Sequence, residues 1–361
     1  MDQVVERPLG EAGDGRGTDA AHWSRAPERS NALALKIITW IALHLGRRVA
    51  RLLLHPITLY FLLFAPTARR HSKRYLRRAL GRAPRVTDGY RHVFAFAATI
   101  LDRVFLLRWP LSRFRVQAHG TELLDATLAE GRGAFLVGAH VGSFEVLRAV
   151  GDDHGGIRVA MVMYPDNARL VNEALRAIAP GSPPHIIALG RPESMLAVRD
   201  WLDGGGLAGM LADRTLEVEG DRGNEVAVPF LGVPATFTDG PFRLAALLRR
   251  QVIFMAGVYL GGNRYEVRFE PLADFRERCG AEERERRIRA AVAAYAQRLE
   301  VLCRAHPYNW FNFHDFWVED GPPPGWPPPE APAALPPRGA PAGGPAEPDP
   351  RQAAGLSGGE R

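Results

Sequence analysis

A histidine and a glutamate five positions apart are the residues of this sequence whose types and spacing best fit acid–base chemistry. They are His140 and Glu145, in the stretch FLVGAHVGSFEVL at 135–147. An imidazole can take a proton from a hydroxyl near neutral pH, and a carboxylate beside it can fix the ring tautomer and stabilise the imidazolium. Spacing alone does not establish this chemistry, because His314 and Glu319 have the same spacing.

The setting of His140 distinguishes the two pairs. The apolar run before His140 predicts a strand, and a helix is predicted to begin at Ser143. On one continuous helix, residues five apart would point about 140° away from each other. If His140 lies in the turn between strand and helix, Glu145 in the first helical turn can reach back to it. Alternatively, Glu145 complements the helix dipole and His140 packs in the turn. His314 lies in the aromatic run YNWFNFHDFWVED and is interpreted as packing at the edge of the core.

Short apolar strands alternate with amphipathic helices between residues 113 and 270. This order is typical of an α/β sandwich with a largely parallel sheet flanked by helices. A hairpin is predicted from VIFMAGVYL and RYEVRFEP, around Gly261, Gly262 and Asn263, and the chain between 214 and 239 is predicted to be a long loop. The other predicted strands are 113–119, 133–139, 157–164, 185–189 and 207–213.

Polar side chains follow several of these strands. His140, Tyr164 and Asp213 each stand at the carboxyl end of a predicted strand. Functional sites of such sheets gather beyond these ends. The sequence therefore predicts a site built from more than one strand, with a structural or substrate-orienting role for Asp213.

Composition restricts the class of protein. The chain has 361 residues, of which 46% are hydrophobic, and a net charge of +6. Such values are ordinary for a folded protein. Two cysteines, Cys279 and Cys303, are too few for a disulfide framework or a zinc site. Residues 1–22 lack the apolar core of a signal peptide, and the Pro/Gly-rich residues 319–361 have too little apolar surface to fold. Both ends are expected to be disordered.

An apolar stretch at 32–65 is divided by Arg47, Arg48 and Arg51. Each half is about 13 to 14 residues long, whereas a helix that spans a bilayer needs roughly 20. Joining the halves would place three arginines in hydrocarbon, at a cost of a few kcal/mol each. We expect an interfacial helical anchor, with a buried helical pair in a soluble core and a single span as the alternatives.

A basic segment follows between residues 69 and 85, which contain no acid. On a helix, five of its cations share one stripe: Arg70, Lys73, Arg74, Arg77 and Arg78. A basic stripe beside an apolar segment is typical of a protein on an anionic membrane surface, although a solvated charged face has the same pattern. Nucleic-acid binding is not predicted, since no binding motif occurs. The expected organisation is a helical, membrane-anchoring segment over 23–112 and an α/β domain over 113–318.

The stretch LVGAHVGSFEVLRA resembles the HX4D/E block of the lysophospholipid acyltransferase superfamily, and specifically of the lipid A late acyltransferase family. Three further stretches resemble blocks of that family and extend the resemblance over most of the chain. They are WSRAPERSNALALKIITWIALHLGR, MVMYPDNARLVNEALR and LADRTLEVEGDRGNEVAVPFLGVPATFTDGPFRLAALLRR. This ordered set is more specific than the His–Glu pair alone.

The resemblance implies an acyltransferase in which His140 is the general base and Glu145 orients it. The donor would be an acyl thioester of acyl carrier protein or coenzyme A, and the acceptor a hydroxyl or amine of a lipid or glycolipid, with no cofactor. The implied location is the cytoplasmic face of the bacterial inner membrane. The matching blocks imply these substrate-binding residues: Tyr164, Asn167, Asp213, Arg214 and Arg222.

The chain departs from the family pattern at three points, one of which is the ending NWFNFHDFW, where the family is rich in His and Arg. Tyr164 precedes Pro165 where relatives have an arginine, and a tyrosine cannot supply a fixed positive charge to a phosphate. Arg214 follows Asp213 where many relatives have an uncharged amide. Phosphate contacts are expected at Arg214 or Arg222 instead, and acylation in general is favoured over acylation of lipid A itself. A glycerolipid acyltransferase acting on lysophosphatidate and a non-catalytic lipid- or carrier-protein-binding module remain alternatives.

Overall fold

Helices and strands alternate along the chain much as the apolar periodicity predicts. The computed structural model describes residues 28–153, 155, 157–165, 185–214 and 225–317, with side chains described from residue 46 onward except at Pro192. The helices are α1 (Glu28–Phe64), α2 (Pro66–Leu80), α3 (Val86–Leu106), α4 (Thr121–Ala129), α5 (Phe144–Asp153), α6 (Pro192–Asp203), α7 (Gly240–Leu247) and α8 (Ala281–Ala305). The strands are β1 (Arg115–His119), β2 (Phe135–Gly138), β3 (Val159–Met163), β4 (His185–Ala188), β5 (Leu207–Leu211), β6 (Glu225–Phe230), β7 (Val233–Thr238), β8 (Gln251–Tyr259) and β9 (Arg264–Asp274).

Seven of the strands form one sheet in the order β1-β9-β8-β2-β5-β3-β4. The five strands from β8 to β4 are parallel neighbours, whereas β9 runs antiparallel to β8 and β1 runs parallel to β9. The largely parallel sheet is therefore confirmed. The predicted β8–β9 hairpin is also confirmed, and it turns at Gly261 and Gly262, whose φ values of 90° and 65° favour glycine.

Helices cover both faces of this sheet, because alternate strand residues point to opposite sides. On one side, Phe135 and Val137 of β2 join a core with α2, α6, α7 and α8. On the other side, Leu136 joins a core with α1, α3, α4 and α5. The result is the predicted α/β sandwich.

The predicted long loop before residue 240 is wrong over part of its length. Residues of β6 and β7 form a second, antiparallel two-stranded sheet, with Glu225 opposite Thr238. Pro229 and Pro234 face each other in this pair, and proline in a run argues against a strand assignment from sequence. The turn between β6 and β7 also lacks the usual Asn-Gly signal, because it contains Leu231 and Gly232 instead. Leu231 adopts the left-handed φ of 52° that an asparagine would normally take.

The arginines that divide the N-terminal apolar stretch fasten α1 to the rest of the protein. Arg47 forms a bidentate ion pair with the fully buried Asp102 of α3, with both N–O distances at 2.7 Å. Arg51 donates to the Tyr259 hydroxyl at 2.7 Å. The helix is broken at Gly46, where φ is 80° and ψ is 166°. These contacts hold the second half of the apolar stretch against the α/β domain.

Among the described helices, none is by itself long and apolar enough to cross a membrane. One pair, Gly46–Phe64 and Pro66–Leu80, has the length and composition together, but its two helices meet at a bend of 96°. The anchoring function expected of residues 23–112 therefore stays a prediction.

The basic stripe on α2 has two parts in the structure. Arg70, Lys73 and Arg77 are exposed. Arg74 instead pairs with Asp315 at 2.8 Å, and Arg78 lies 4.5 Å from the ring centroid of Trp317. The expectation of one continuous surface stripe is wrong, because the C-terminal end of the described chain covers part of it.

Candidate active site

The turn after β2 presents His140 at the carboxyl edge of the sheet. Gly142 has φ 57°, and a Cβ there would collide with the Gly257 carbonyl of β8. The Ser143 N–H donates to that same carbonyl at 2.8 Å. A small residue with left-handed backbone is therefore needed for the chain to pass this close to β8 and enter α5.

Asp213 is the carboxylate that contacts the His140 ring. It follows β5, which pairs with β2 in parallel, so both residues emerge at the same edge. Asp213 Oδ1 lies 2.8 Å from His140 Nδ1, and Oδ2 accepts the His140 backbone N–H at 3.0 Å. The Asp213 side chain is 2% exposed and that of His140 is 34% exposed. Because Nδ1 faces the carboxylate, Nε2 is the ring nitrogen left for a substrate.

The surroundings keep Asp213 ionised. Burial would raise the pKa of this carboxyl, but the charge and hydrogen bond of His140, the charge of Arg214 and the Trp310 indole N–H together hold the pKa well below its usual range. A buried anion beside an imidazole stabilises the imidazolium that forms when the ring takes a proton.

Glu145 does not occupy the place that the sequence analysis expects. Its carboxylate lies 2.6 Å from Arg103 Nε, an ion pair with the last turn of α3, and accepts the Ser143 hydroxyl at 3.4 Å. The Nδ1 position at which it would orient His140 is filled by Asp213. The reason is geometric: Glu145 lies in the first turn of α5 and its side chain is directed to α3, away from β5. Glu145 thus joins two helix ends.

The segment that follows α8 is part of the site, which the sequence analysis did not predict. The Asn309 side chain bonds both the N–H and the carbonyl of Tyr259, at 2.7 and 3.1 Å. The Phe311 N–H donates to the His140 carbonyl at 2.9 Å, and the Trp310 indole N–H donates to Asp213 Oδ2 at 2.8 Å. The only signal in the sequence was the density of aromatic and amide residues, which equally suits a packed core.

His314 is partly buried and its ring packs against Phe316, as expected for packing at the edge of the core, and charged residues of the site also act on it. Burial, and then the charge of Arg214, lower its pKa to about 4, with further electrostatic contributions from Asp213 and His140.

Of the remaining predicted site residues, the structure describes Tyr164 and Arg214. Tyr164 follows β3 directly and is 38% exposed, and the exposed Arg214 follows Asp213. Asn167 and Arg222 lie outside the described residues. Among the residues that the structure describes, no group of three or more His, Cys, Asp or Glu side chains is placed to hold a metal ion.

The site consists of a histidine held by a buried carboxylate at the carboxyl edge of an α/β sheet. An imidazole held in this way can act as a general base. The family model for bacterial lipid A biosynthesis acyltransferases matches residues 21–319 of the chain. The chain therefore belongs to this family, and membership indicates acyltransferase activity on a lipid acceptor. No match was found among curated proteins.

Proposed function

We propose that the protein transfers a fatty acyl chain from an acyl thioester, carried on acyl carrier protein or coenzyme A, to a hydroxyl or amine of a lipid or glycolipid. The observation that carries this proposal is the contact of 2.8 Å between His140 Nδ1 and Asp213 Oδ1, on a ring that is one-third exposed. It supports His140 as the general base and Asp213 as the residue that orients it. Glu145 has a supporting role in the turn.

The proposed reaction needs no covalent acyl-enzyme. His140 Nε2 takes the proton of the acceptor hydroxyl while the oxygen attacks the thioester carbonyl carbon. The tetrahedral intermediate then expels the thiolate as the carbon–sulfur bond breaks. The imidazolium returns its proton to that sulfur, so the products are an ester and a thiol. With an amine acceptor the same steps give an amide. Asp213 stabilises the imidazolium between the two proton transfers.

Anionic groups of either substrate would find positive charge next to this pair. Arg214 is exposed and its charge acts on both Asp213 and His314. We propose that Arg214 contacts a phosphate of the donor or the acceptor, in the role that the family gives to an arginine at the position of Tyr164. An arginine keeps its charge at any physiological pH and can bind a phosphate through two N–H groups.

A membrane surface would supply the lipid acceptor. Leu59, Tyr60, Leu63 and Phe64, near the end of α1, are all more than half exposed, and exposed cations follow on α2. An apolar patch rimmed by cations suits an anionic leaflet. We propose that this surface lies on the cytoplasmic face of the bacterial inner membrane.

The test is acyl transfer from a labelled acyl thioester into extracted lipid, with turnover expressed per folded molecule. We expect His140→Ala to lose roughly 10²- to 10⁴-fold in turnover, the usual contribution of a general base. The matched control is His119→Ala, since His119 is an exposed histidine on the edge strand β1, and it should turn over normally.

Near-normal turnover of His140→Ala would overturn the enzymatic proposal and favour a binding module on the same fold. Transfer confined to lysophosphatidate would favour the glycerolipid alternative. Supplying acyl carrier protein and coenzyme A thioesters in separate reactions identifies the donor.

A further inference from the structure

Trp310 lies in the core of the protein, yet its polar atom reaches the candidate site. Its side chain is 1% exposed. Its indole Nε1–H donates to Asp213 Oδ2 at 2.8 Å, and the His140 backbone N–H donates to the same oxygen at 3.0 Å. Oδ2 thus receives two donors, whereas Oδ1 faces the His140 ring. The two donors fix which oxygen of the carboxylate is presented to the imidazole.

The backbone of Trp310 is held from both sides. Trp310 forms an antiparallel bridge with Val141, next to His140, and its carbonyl lies 2.8 Å from His92 Nε2. A carbonyl can only accept, so Nε2 of His92 carries the proton and Nδ1 accepts from the Ser72 hydroxyl, 2.8 Å away. Burial lowers the pKa of His92 to about 4, which keeps this neutral tautomer at physiological pH.

Aromatic rings fix the Trp310 ring as well. Tyr75, Phe230 and Phe316 meet it edge-on, with centroids at 5.0, 5.3 and 5.0 Å. A phenylalanine could fill most of this space, but only an indole also brings a donor to Asp213. The position therefore combines packing, which several residues could supply, with one hydrogen bond that depends on tryptophan.

We propose that Trp310 is a positioning residue for acyl transfer, whose indole N–H orients Asp213 against His140. This inference rests on the proposed function, because it gives Trp310 a part in the work of the His140–Asp213 pair. Trp310 touches neither substrate nor the reacting atoms and acts through Asp213.

The decisive variant is Trp310→Phe, with Trp317→Phe as the matched control. Trp317 is 4% exposed and belongs to the same aromatic cluster, with its ring centroid 6.1 Å from that of Trp310. Its Nε1 has no hydrogen-bond partner within the described part of the chain. Both variants remove a buried tryptophan, but only Trp310→Phe removes a hydrogen bond to a carboxylate.

We expect kcat of Trp310→Phe to fall roughly 10- to 100-fold, since a hydrogen bond to a charged group is worth about 1.5–3 kcal/mol. KM should change little. The acid limb of the kcat/KM profile should move to higher pH, because a carboxylate that lacks the indole donor interacts more strongly with the imidazolium. Trp317→Phe should leave kcat and the acid limb unchanged.

Equal kcat values and equal acid limbs for the two variants would overturn the inference. If Trp310→Phe does not fold, benzothienylalanine at position 310 is the replacement, since it keeps the shape of the side chain and has sulfur in place of the N–H. Its kcat is then compared in the same way. His140→Ala, measured in parallel, separates the two proposals. If His140→Ala retains turnover, the proposed function itself is rejected. If His140→Ala loses turnover but the variant that lacks the indole N–H at position 310 turns over normally, only the role of Trp310 is rejected.

Discussion

At the level of single residues, the candidate site depends on a carboxylate that lies far from the histidine in sequence. Asp213 is 73 positions from His140, and the two meet because β5 and β2 are neighbours in the sheet. Glu145 lies only five positions away but pairs with Arg103. The spacing of an HX4E block therefore identifies the turn that presents the histidine, and the sheet order identifies the histidine's partner.

Asp213→Asn should be a more damaging change than its small size suggests. Oδ2 accepts two N–H groups, so the amide oxygen of asparagine would occupy that place and its NH2 would face His140 Nδ1. Nδ1 would then become an acceptor and Nε2 would carry the proton, which is the wrong tautomer for a base. We expect turnover to fall about 10³- to 10⁴-fold with the fold retained.

The comparison variant is Glu145→Gln, which keeps the side-chain size and the contact with Ser143 but leaves Arg103 without its ion-pair partner. We expect a lower melting temperature and turnover per folded molecule within about tenfold of the native protein, since Arg103 is not part of the proposed reaction. Both quantities come from thermal unfolding and the labelled-acyl assay. Equal losses of turnover in the two variants would show that Glu145 takes part in the chemistry.

At the level of elements, much of the sandwich follows from local pattern. Short apolar runs between amphipathic segments predicted β2, β3, β4, β5 and the β8–β9 hairpin, because strand and helix periods differ along the chain. That reasoning also placed His140, Tyr164 and Asp213 at strand ends. Strand order is a long-range property, so the direct contact of His140 with Asp213 did not follow from it.

The missed features share a physical cause. The β6–β7 hairpin contains Pro229 and Pro234, and local rules treat proline as a strand breaker. The sequence makes no prediction for Trp310, because its hydrogen bond to Asp213 depends on where the chain returns after α8. Local propensity contains no information on either point.

The close approach of the β2–α5 turn to β8 makes Gly257 a sensitive position. A Cβ at Gly257 would overlap the Ser143 carbonyl and lie 2.8 Å from Val146 Cγ1. Gly257→Ala should destabilise the protein by about 1–3 kcal/mol, as overpacking does, and displace the turn that carries His140, so that turnover also falls.

Gly209→Ala is the control for Gly257→Ala, because Gly209 lies on β5 of the same sheet and a Cβ there would lie 3.5 Å from the Phe144 ring, an ordinary contact. Urea unfolding and the acyl-transfer assay give the two readouts. If both variants unfold at the same urea concentration, the turn is not held against β8 as tightly as the structure indicates.

At the level of the whole molecule, α1 is held to the domain at one place and exposes apolar surface at another. Its Arg47 is the ion-pair partner of the fully buried Asp102, while its last turns expose large apolar side chains. A truncation that removes residues 1–65 would leave Asp102 buried without that partner, which is strongly destabilising. Loss of membrane binding in such a protein would not distinguish a missing anchor from a damaged fold, so point variants at the exposed end are the sharper test.

We expect the full chain to float with vesicles that contain anionic lipid. The triple variant Leu59→Ser, Leu63→Ser, Phe64→Ser removes three side chains that are each more than half exposed. Each side chain would contribute about 1 kcal/mol on entering the bilayer interface, so vesicle binding should fall roughly 100-fold. The control removes three apolar side chains of similar exposure elsewhere, as Leu196→Ser, Leu247→Ser, Val301→Ser, and should bind normally.

Flotation measured against vesicle concentration compares the two triple variants, with circular dichroism to confirm folding. Equal flotation of the two triple variants would place the membrane-binding surface elsewhere, whereas loss of binding in the first alone would assign it to the end of α1.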